Sequence, residues 1–206
     1  MTIILTHAEL TAATGAPAWI DEAELPLLAH CAAQVPDAGH ILEVGAAFGG
    51  SATLFLLFSA PQVRVTSVDA FVTDPDAGWR ASALSCGQAV RHGLDAYGKS
   101  NRILYWHLMD MPSQLAVADW TEPLDALYID GDHSVEGVNG DFEAWTPVLV
   151  SGGTLMLHDS RRLPDVPMSQ YARGWPAPTA LADRLRTDAG WRLLDEGFSL
   201  TVWEKV

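Results

Sequence analysis

The segment ILEVGAAFGGS, residues 41–51, constrains this chain more than any other stretch, because it reads as a strand running into a glycine loop and then a helix. Ile41, Leu42 and Val44 supply the buried strand, and Gly45, Gly49 and Gly50 the turn. Ser51 then caps a helix through ATLFLLFSA, which Pro61 stops. Such a turn brings backbone N–H groups close to a ligand at a helix N-terminus. Glu43 lies inside the strand's end, two residues before the first glycine. A carboxylate buried there is costly unless a hydrogen bond or a positive charge compensates it. The loop is not the dinucleotide fingerprint G-x-G-x-x-G. Ala47 stands where the middle glycine would make room for a pyrophosphate, which weighs against NAD.

Beyond that unit, strand-like apolar runs alternate with helix-like ones, which predicts an α/β fold with a mostly parallel sheet. The runs are VRVTSVD (63–69), ILYWHL (103–108), LDALYID (124–130) and GTLMLHD (153–159). WRLLD (191–195) and FSLTVWE (198–204) flank Glu196-Gly197 and predict an antiparallel closing hairpin. The sheet therefore has seven strands, with helices on both faces. Residues 19–34, WIDEAELPLLAHCAAQ, predict an amphipathic helix with acids in its first turn. The 206 residues make one domain. Within it, 1–38 is an N-terminal helical segment, 71–101 a cap or lid over the ligand, and the proline-rich 161–178 a substrate loop.

Lys plus Arg number 12 against 26 Asp plus Glu, a formal charge of -14, which repels phosphate backbones and argues against nucleic acid as a partner. A small-molecule acceptor suits such a surface better. Cys31 and Cys86 have no metal-type spacing and read as free thiols in a reducing compartment. MTIILTHAEL has no basic leader region, and no apolar stretch is long enough to span a membrane. A cytoplasmic location without membrane contact is expected.

Acidic residues mark the predicted strand ends. Asp69 ends the second strand, 24 residues after Gly45, where an acid accepts both hydroxyls of a ribose or simply caps the next turn. In IDGDHSVEGVNGDFEAW (129–145), Asp130, Asp132 and His133 crowd the end of the fourth strand, where open α/β sheets bind ligands. The following helix is expected to bury Val135, Val138, Phe142, Trp145 and Leu149, leaving Glu136 and Asp141 on a solvated face. Gly137 and Gly140 weaken it and need a close neighbour to explain them. LHDS adds His158 and Asp159 at the next strand tip. Neighbouring strands lie about 4.8 Å apart, so Asp130, His158 and Asp159 can converge on a divalent cation. A mixed N/O set suits Mn, Fe, Ni or Zn better than Mg. Without a metal, His158 would hydrogen-bond to a neighbouring carboxylate.

Taken together, ILEVGAAFGGS, VTSVD, YIDGDHSVEGVNGDFEAW and SGGTLMLHDS resemble class I S-adenosylmethionine-dependent methyltransferases. The likeness is to the small group that includes antibiotic-sugar O-methyltransferases and proteins related to cephalosporin hydroxylase, and it covers residues 19–160. It implies a Rossmann-like sheet, S-adenosylmethionine as cofactor and often a bound Mg²⁺. The cofactor would be held by Glu43, Gly45, Ala46, Gly49 and Ser51, by Asp69 at the ribose, by Asp110 at the adenine (or as a helix cap near Pro112), and by Asp130. Metal-dependent relatives carry ligands at positions matching Asp130, His158 and Asp159. They have an acid where this chain has His158, a departure that leaves Mg²⁺ in question and Mn²⁺ as an alternative. Catechol-type enzymes place a lysine base three residues after the first metal acid; His133 has that spacing here and, with Asp130, forms the implied catalytic pair.

The activity so implied is O-methylation of a small hydroxylated molecule, a sugar or another natural product. Two other readings remain open. One is a metal-dependent hydrolase or oxidoreductase using Asp130, His158 and Asp159; the other is a non-catalytic module that binds S-adenosylmethionine. Trp79, Tyr97, Tyr171 and Trp175 fall in the irregular segments and would roof an apolar or ring-bearing substrate, or anchor a homodimer.

Overall fold

The computed structural model describes residues 5–71, 81–162 and 175–206. Five strands, β1 (His40–Val44), β2 (Arg64–Asp69), β3 (Trp106–Asp110), β4 (Leu124–Ile129) and β5 (Leu149–Leu157), run parallel. β6 (Trp191–Gly197) and β7 (Leu200–Lys205) form the closing hairpin, with β7 antiparallel to β5. The sheet order is β3-β2-β1-β4-β5-β7-β6. The chain therefore reverses direction across the sheet between β1 and β4, which opens a crevice at their carboxyl ends.

Alternation along β1 divides the interior into two cores. Ile41 faces one side with Val65, Ala126, Tyr128 and Met156, covered by α1 (His7–Thr14), α2 (Leu25–Gln34), α3 (Gly50–Phe58) and α4 (Ala83–Ala96). Leu42 and Val44 face the other with Leu127, Ile129 and Trp203, covered by α5 (Ser113–Ala116), α6 (Val135–Trp145) and α7 (Pro176–Leu185). Gly50 to Leu57 of α3 are all buried. That helix is apolar all round because it lies between the sheet and other helices.

Three elements depart from the sequence pattern. α2 starts at Leu25 rather than at residue 19, because Asp21 to Glu24 close a turn and Pro26 occupies the first helical turn, where its missing N–H costs nothing. β3 starts at Trp106, since Ser100–Tyr105 winds into a 3-10 helix. The buried guanidinium of Arg102 holds that segment under α3, donating to the carbonyls of Leu56 (3.0 Å), Val63 (3.1 Å) and Pro61 and to the Ser59 hydroxyl (2.9 Å). α6 ends at Trp145, so Leu149 belongs to β5 and Val135 is 62% exposed. Val138 and Trp145 carry the packing of that helix, with Phe142 partly buried beside them.

Asp141 is buried rather than solvated, facing Ser113 and Gln114 of α5; burial pushes its pKa up, against those two hydrogen bonds. The two glycines of α6 have the close neighbours they required. A Cβ at Gly137 would sit 2.5 Å from Asp132, and one at Gly140 2.5 Å from Gln114.

Of the expected cap, residues 72–80 lie outside the described residues. The remainder is α4, which starts in a Ser82–Ser85 capping box and packs against α1 and α3. Residues 163–174 of the expected substrate loop also lie outside them. Cys31 and Cys86 are free and buried, and burial pushes the Cys31 thiol up to about 12. Among the described residues no helix is long and apolar enough to cross a membrane.

The crevice depends on one contact. Gly45 has φ +91°, and a Cβ there would lie 2.1 Å from the carbonyl oxygen of Asp130. Gly45→Ala is therefore expected to cost about 3 kcal/mol or more of folding stability, read as a shift in the denaturation midpoint. An unchanged midpoint would show that the loop and the β4 tip can separate freely.

Candidate active site

The glycine loop is tied to both neighbouring strand ends. Gly45 N donates to Val68 O (2.9 Å), and Asp130 N donates to Val44 O (2.8 Å). Asp69 organises the loop itself: its Oδ2 accepts from the N–H groups of Ala46 (2.9 Å) and Ala47 (2.8 Å), and its Oδ1 from Phe71 N (2.6 Å). The carboxylate thus caps the next turn, as one sequence reading had it, and also holds the loop. Asp110 is exposed at the end of β3, its Cα in register with that of Asp69, so the two acids stand side by side at one edge of the mouth. Ser51 is not the helix cap; Gly49 holds that position at φ +78°, and Ser51 sits buried in the first turn of α3. Its hydroxyl and that of Ser67 face Glu43.

Glu43 is fully buried between Ser67 of β2 and Tyr128 of β4, its partners in the sheet register. Ser67 Oγ donates to Oε1, while Oε2 makes no hydrogen bond of ordinary geometry. Burial, with repulsion from Asp130 and Asp69, pushes its pKa up to about 7 against the two serines. An unsatisfied buried carboxylate oxygen beside a loop of backbone N–H groups fits a cationic ligand such as S-adenosylmethionine, which carries an ammonium and a sulfonium.

Beside the loop, four side chains from two strand tips converge. His158 Nδ1 lies 2.9 Å from Asp130 Oδ1 and 3.7 Å from Asp159 Oδ2. His133 Nε2 lies 3.7 Å from the same Asp130 oxygen and 3.3 Å from the same Asp159 oxygen. Tyr128 donates its hydroxyl to Asp130 Oδ2 (3.1 Å). Burial by itself would lower the pKa of His158, but Asp130 and Glu24 outweigh it and hold the imidazole well above its ordinary range. Burial raises Asp159, yet the two histidines hold its carboxyl below the usual range. Asp159 adopts φ +50°, a left-handed conformation that turns its carboxylate inward. Asp132, the third acid of the motif, points away and accepts from the N–H and hydroxyl of Ser134 (2.9 and 2.7 Å), which in turn caps α6.

Sequence reasoning missed Glu24. It is fully buried, its Oε2 3.0 Å from His158 Nε2 and 3.1 Å from Asp21 N, and its Oε1 accepts from Ser199 N (3.1 Å) and Ser199 Oγ (2.6 Å). The only signal was an acid immediately before an apolar run, Leu25-Pro26-Leu27-Leu28, which resembles an ordinary first-turn acid. Trp175, 55% exposed, lays its ring against His133 with centroids 5.1 Å apart and planes at 31°. Trp19 meets Phe48 of the loop edge-on at 5.3 Å.

A parallel sheet that reverses between β1 and β4 and ends in an antiparallel hairpin, with a glycine loop at the reversal, defines a class I S-adenosylmethionine-dependent methyltransferase domain. A family model described as a methyltransferase domain matches residues 42–160, and the chain belongs to that family. Solved structures share the fold at low identity. A Corynebacterium glutamicum protein is 18% identical over 97% of this chain and 88% of its own, with a TM-score of 0.67. A methyltransferase of Geobacter sulfurreducens is 14% identical over 97% and 86%, with a TM-score of 0.64. TomG of Streptomyces achromogenes, an O-methyltransferase involved in tomaymycin synthesis and solved with S-adenosylmethionine, is 14% identical over 97% and 87%, with a TM-score of 0.61.

The raised pKa of Glu43 gives a signed pH dependence. The folded state holds the proton more tightly than the unfolded chain, so this contribution to stability is present below about pH 4.5 and lost as pH rises through about 7. Glu43→Gln removes the buried charge. It is expected to stabilise the ligand-free protein at pH 8 by about 2 kcal/mol relative to its effect at pH 5, measured by denaturant unfolding at both values. An equal effect at both would mean that Glu43 is ionised throughout.

Proposed function

We propose that this protein transfers the methyl group of S-adenosylmethionine to a hydroxyl oxygen of a small acceptor, a sugar or another hydroxylated natural product. The observation that carries this reading is His133, set between two carboxylates beside the glycine loop and under an exposed tryptophan ring. The acidic surface favours a small acceptor over nucleic acid. Two buried free thiols suit a reducing compartment, the cytoplasm. The Trp175 ring supplies an apolar wall against which a sugar or aromatic face can lie.

The reaction is an in-line displacement. The acceptor oxygen forms a bond to the methyl carbon as the carbon–sulfur bond breaks, and the bonding pair stays on sulfur, leaving S-adenosylhomocysteine. Alignment of the two centres supplies much of the rate. The hydroxyl proton passes to the cluster of Asp130, His133 and Asp159, the nearest proton-accepting groups at the mouth. In this reading Asp110 and the remaining lone pairs of Asp69, side by side at the β2–β3 edge, take the adenine and ribose, and Glu43 takes the methionine part. Asp130 Oδ1 and Asp159 Oδ2 lie 2.9 and 3.7 Å from His158 Nδ1, and this mixed oxygen and nitrogen set suits a divalent ion by donor type. Bound there, such an ion would lower the pKa of the acceptor hydroxyl.

Calorimetric titration with S-adenosylhomocysteine, paired with a turnover assay on a panel of hydroxylated acceptors, tests this. Asp69→Ala is expected to weaken cofactor affinity by about tenfold or more, because it frees the loop. His133→Ala is expected to leave that affinity nearly intact while cutting turnover by about a hundredfold or more. An unchanged rate would remove His133 from the chemistry, and no binding of S-adenosylhomocysteine would overturn the reading as a whole.

A further inference from the structure

We infer that His133 joins Asp130 and His158 as a donor of this centre, with Glu24 its outer carboxylate and Asp159 at its rim, so that the site takes a four-coordinate transition-metal ion of the zinc type, with one position left open, rather than Mg²⁺. The inference rests on the reading that the cluster takes an ion, and is independent of which hydroxyl is methylated.

Four single atoms close a ring. From Asp130 Oδ1 to His158 Nδ1, Asp159 Oδ2, His133 Nε2 and back, the edges are 2.9, 3.7, 3.3 and 3.7 Å. A tetrahedron with metal–ligand bonds of ~2.0–2.1 Å has edges of about 3.3 Å; Asp130, His133 and His158 offer donor atoms within 4.8 Å of one another, for three of the four positions such an ion fills. His133 Nε2 is buried and has no hydrogen-bond partner of good geometry, although its ring edge is partly exposed. A lone pair turned into the centre of the ring accounts for that.

The outer contacts agree. A metal-bound histidine needs its other nitrogen held so that the ligating one keeps its lone pair inward. Glu24, itself bonded by Ser199 and Asp21, does this for His158. Tyr128 fixes the second oxygen of Asp130, the left-handed backbone at Asp159 turns that carboxylate in, and Trp175 backs the His133 ring. Each of these side chains is therefore oriented from outside. Mg²⁺ demands octahedral oxygen ligands and retains several waters, which two imidazoles in a tight ring do not provide. Borderline ions accept nitrogen and oxygen together. With the ion bound, His133 acts as its ligand, and within that cluster the acceptor proton is left to Asp159 at the rim.

Chelator-stripped protein titrated with Co²⁺, Zn²⁺ and Mg²⁺ tests this, with the visible spectrum of bound Co²⁺ as readout and S-adenosylhomocysteine affinity measured alongside. Co²⁺ is expected to bind at one site with the intense bands of four-coordination, to be displaced by Zn²⁺, and to resist displacement by a large excess of Mg²⁺. His133→Ala should weaken Co²⁺ binding by about tenfold or more and alter the bands, and Glu24→Gln by about tenfold to a hundredfold, both with cofactor affinity retained. Should the buried Glu24 variant fail to fold, His133→Ala at its partly exposed ring decides the matter. A weak six-coordinate spectrum, ready displacement by Mg²⁺, or unchanged Co²⁺ affinity in His133→Ala would overturn the inference. If no ion binds while S-adenosylhomocysteine does, the ring is an ion-pair network. The metal site is then refuted and the methyltransferase reading stands.

Discussion

A buried imidazole shared between two carboxylates holds this molecule's working end together. His158 sits between Glu24 and Asp130, and Glu24 also takes both donors of Ser199. Segments that are distant in sequence are thereby joined: the turn before α2, the tips of β4 and β5, and the β6–β7 turn. Buried acids and a buried imidazole are each expensive alone, and their mutual pairing offsets that cost. Removing one member strands the others, a loss of about 3–5 kcal/mol for pairs of this kind. The late start of α2 follows from the same constraint. Glu24 turns inward at the helix's leading edge, where its carboxylate reaches His158 and Ser199.

The mouth is strongly acidic, with Glu43, Asp69, Asp110, Asp130 and Asp159 around one crevice. That charge suits a cationic cofactor but poses a difficulty for methyl transfer. The sulfonium loses its positive charge in the reaction, so unpaired carboxylates would stabilise the starting state more than the transition state. Asp130 and Asp159 face imidazoles, Asp69 is spent on loop N–H groups, and burial biases Glu43 towards its neutral form. The negative charge around the crevice is thus largely partnered.

The sheet was legible because its signals are local. Alternating apolar runs bounded by glycines and acids predicted seven strands and the hairpin, and those are the observed elements. The errors came where a tertiary contact overrode a local pattern. ILYWHL has strand-forming residues throughout, but Arg102 drags its first half into a 3-10 turn by bonding carbonyls some forty residues away in sequence. Asp141 has the spacing of a solvated face, and only the arrival of α5 buries it. At the site, Asp130, His133, His158 and Asp159 were visible because strand ends in parallel sheets are where ligands bind. Asp132 was grouped with them on proximity in sequence, yet its role is to hold Ser134. Glu24 carries no such address, since it reaches His158 from 134 residues away.

Asp130 is where these demands meet. Its carbonyl oxygen fills the space that a side chain at Gly45 would need, and its N–H pairs with β1. One carboxylate oxygen is held by Tyr128, and the other meets both histidines. The backbone of this residue therefore sets the depth of the glycine loop while its side chain sets the position of the polar cluster. Gly45 and Asp130 leave no room for a larger side chain between them, so the loop and the β4 tip are closely packed at this point. The glycine loop and the polar cluster are in this way fixed by the same few atoms at the reversal point of the sheet.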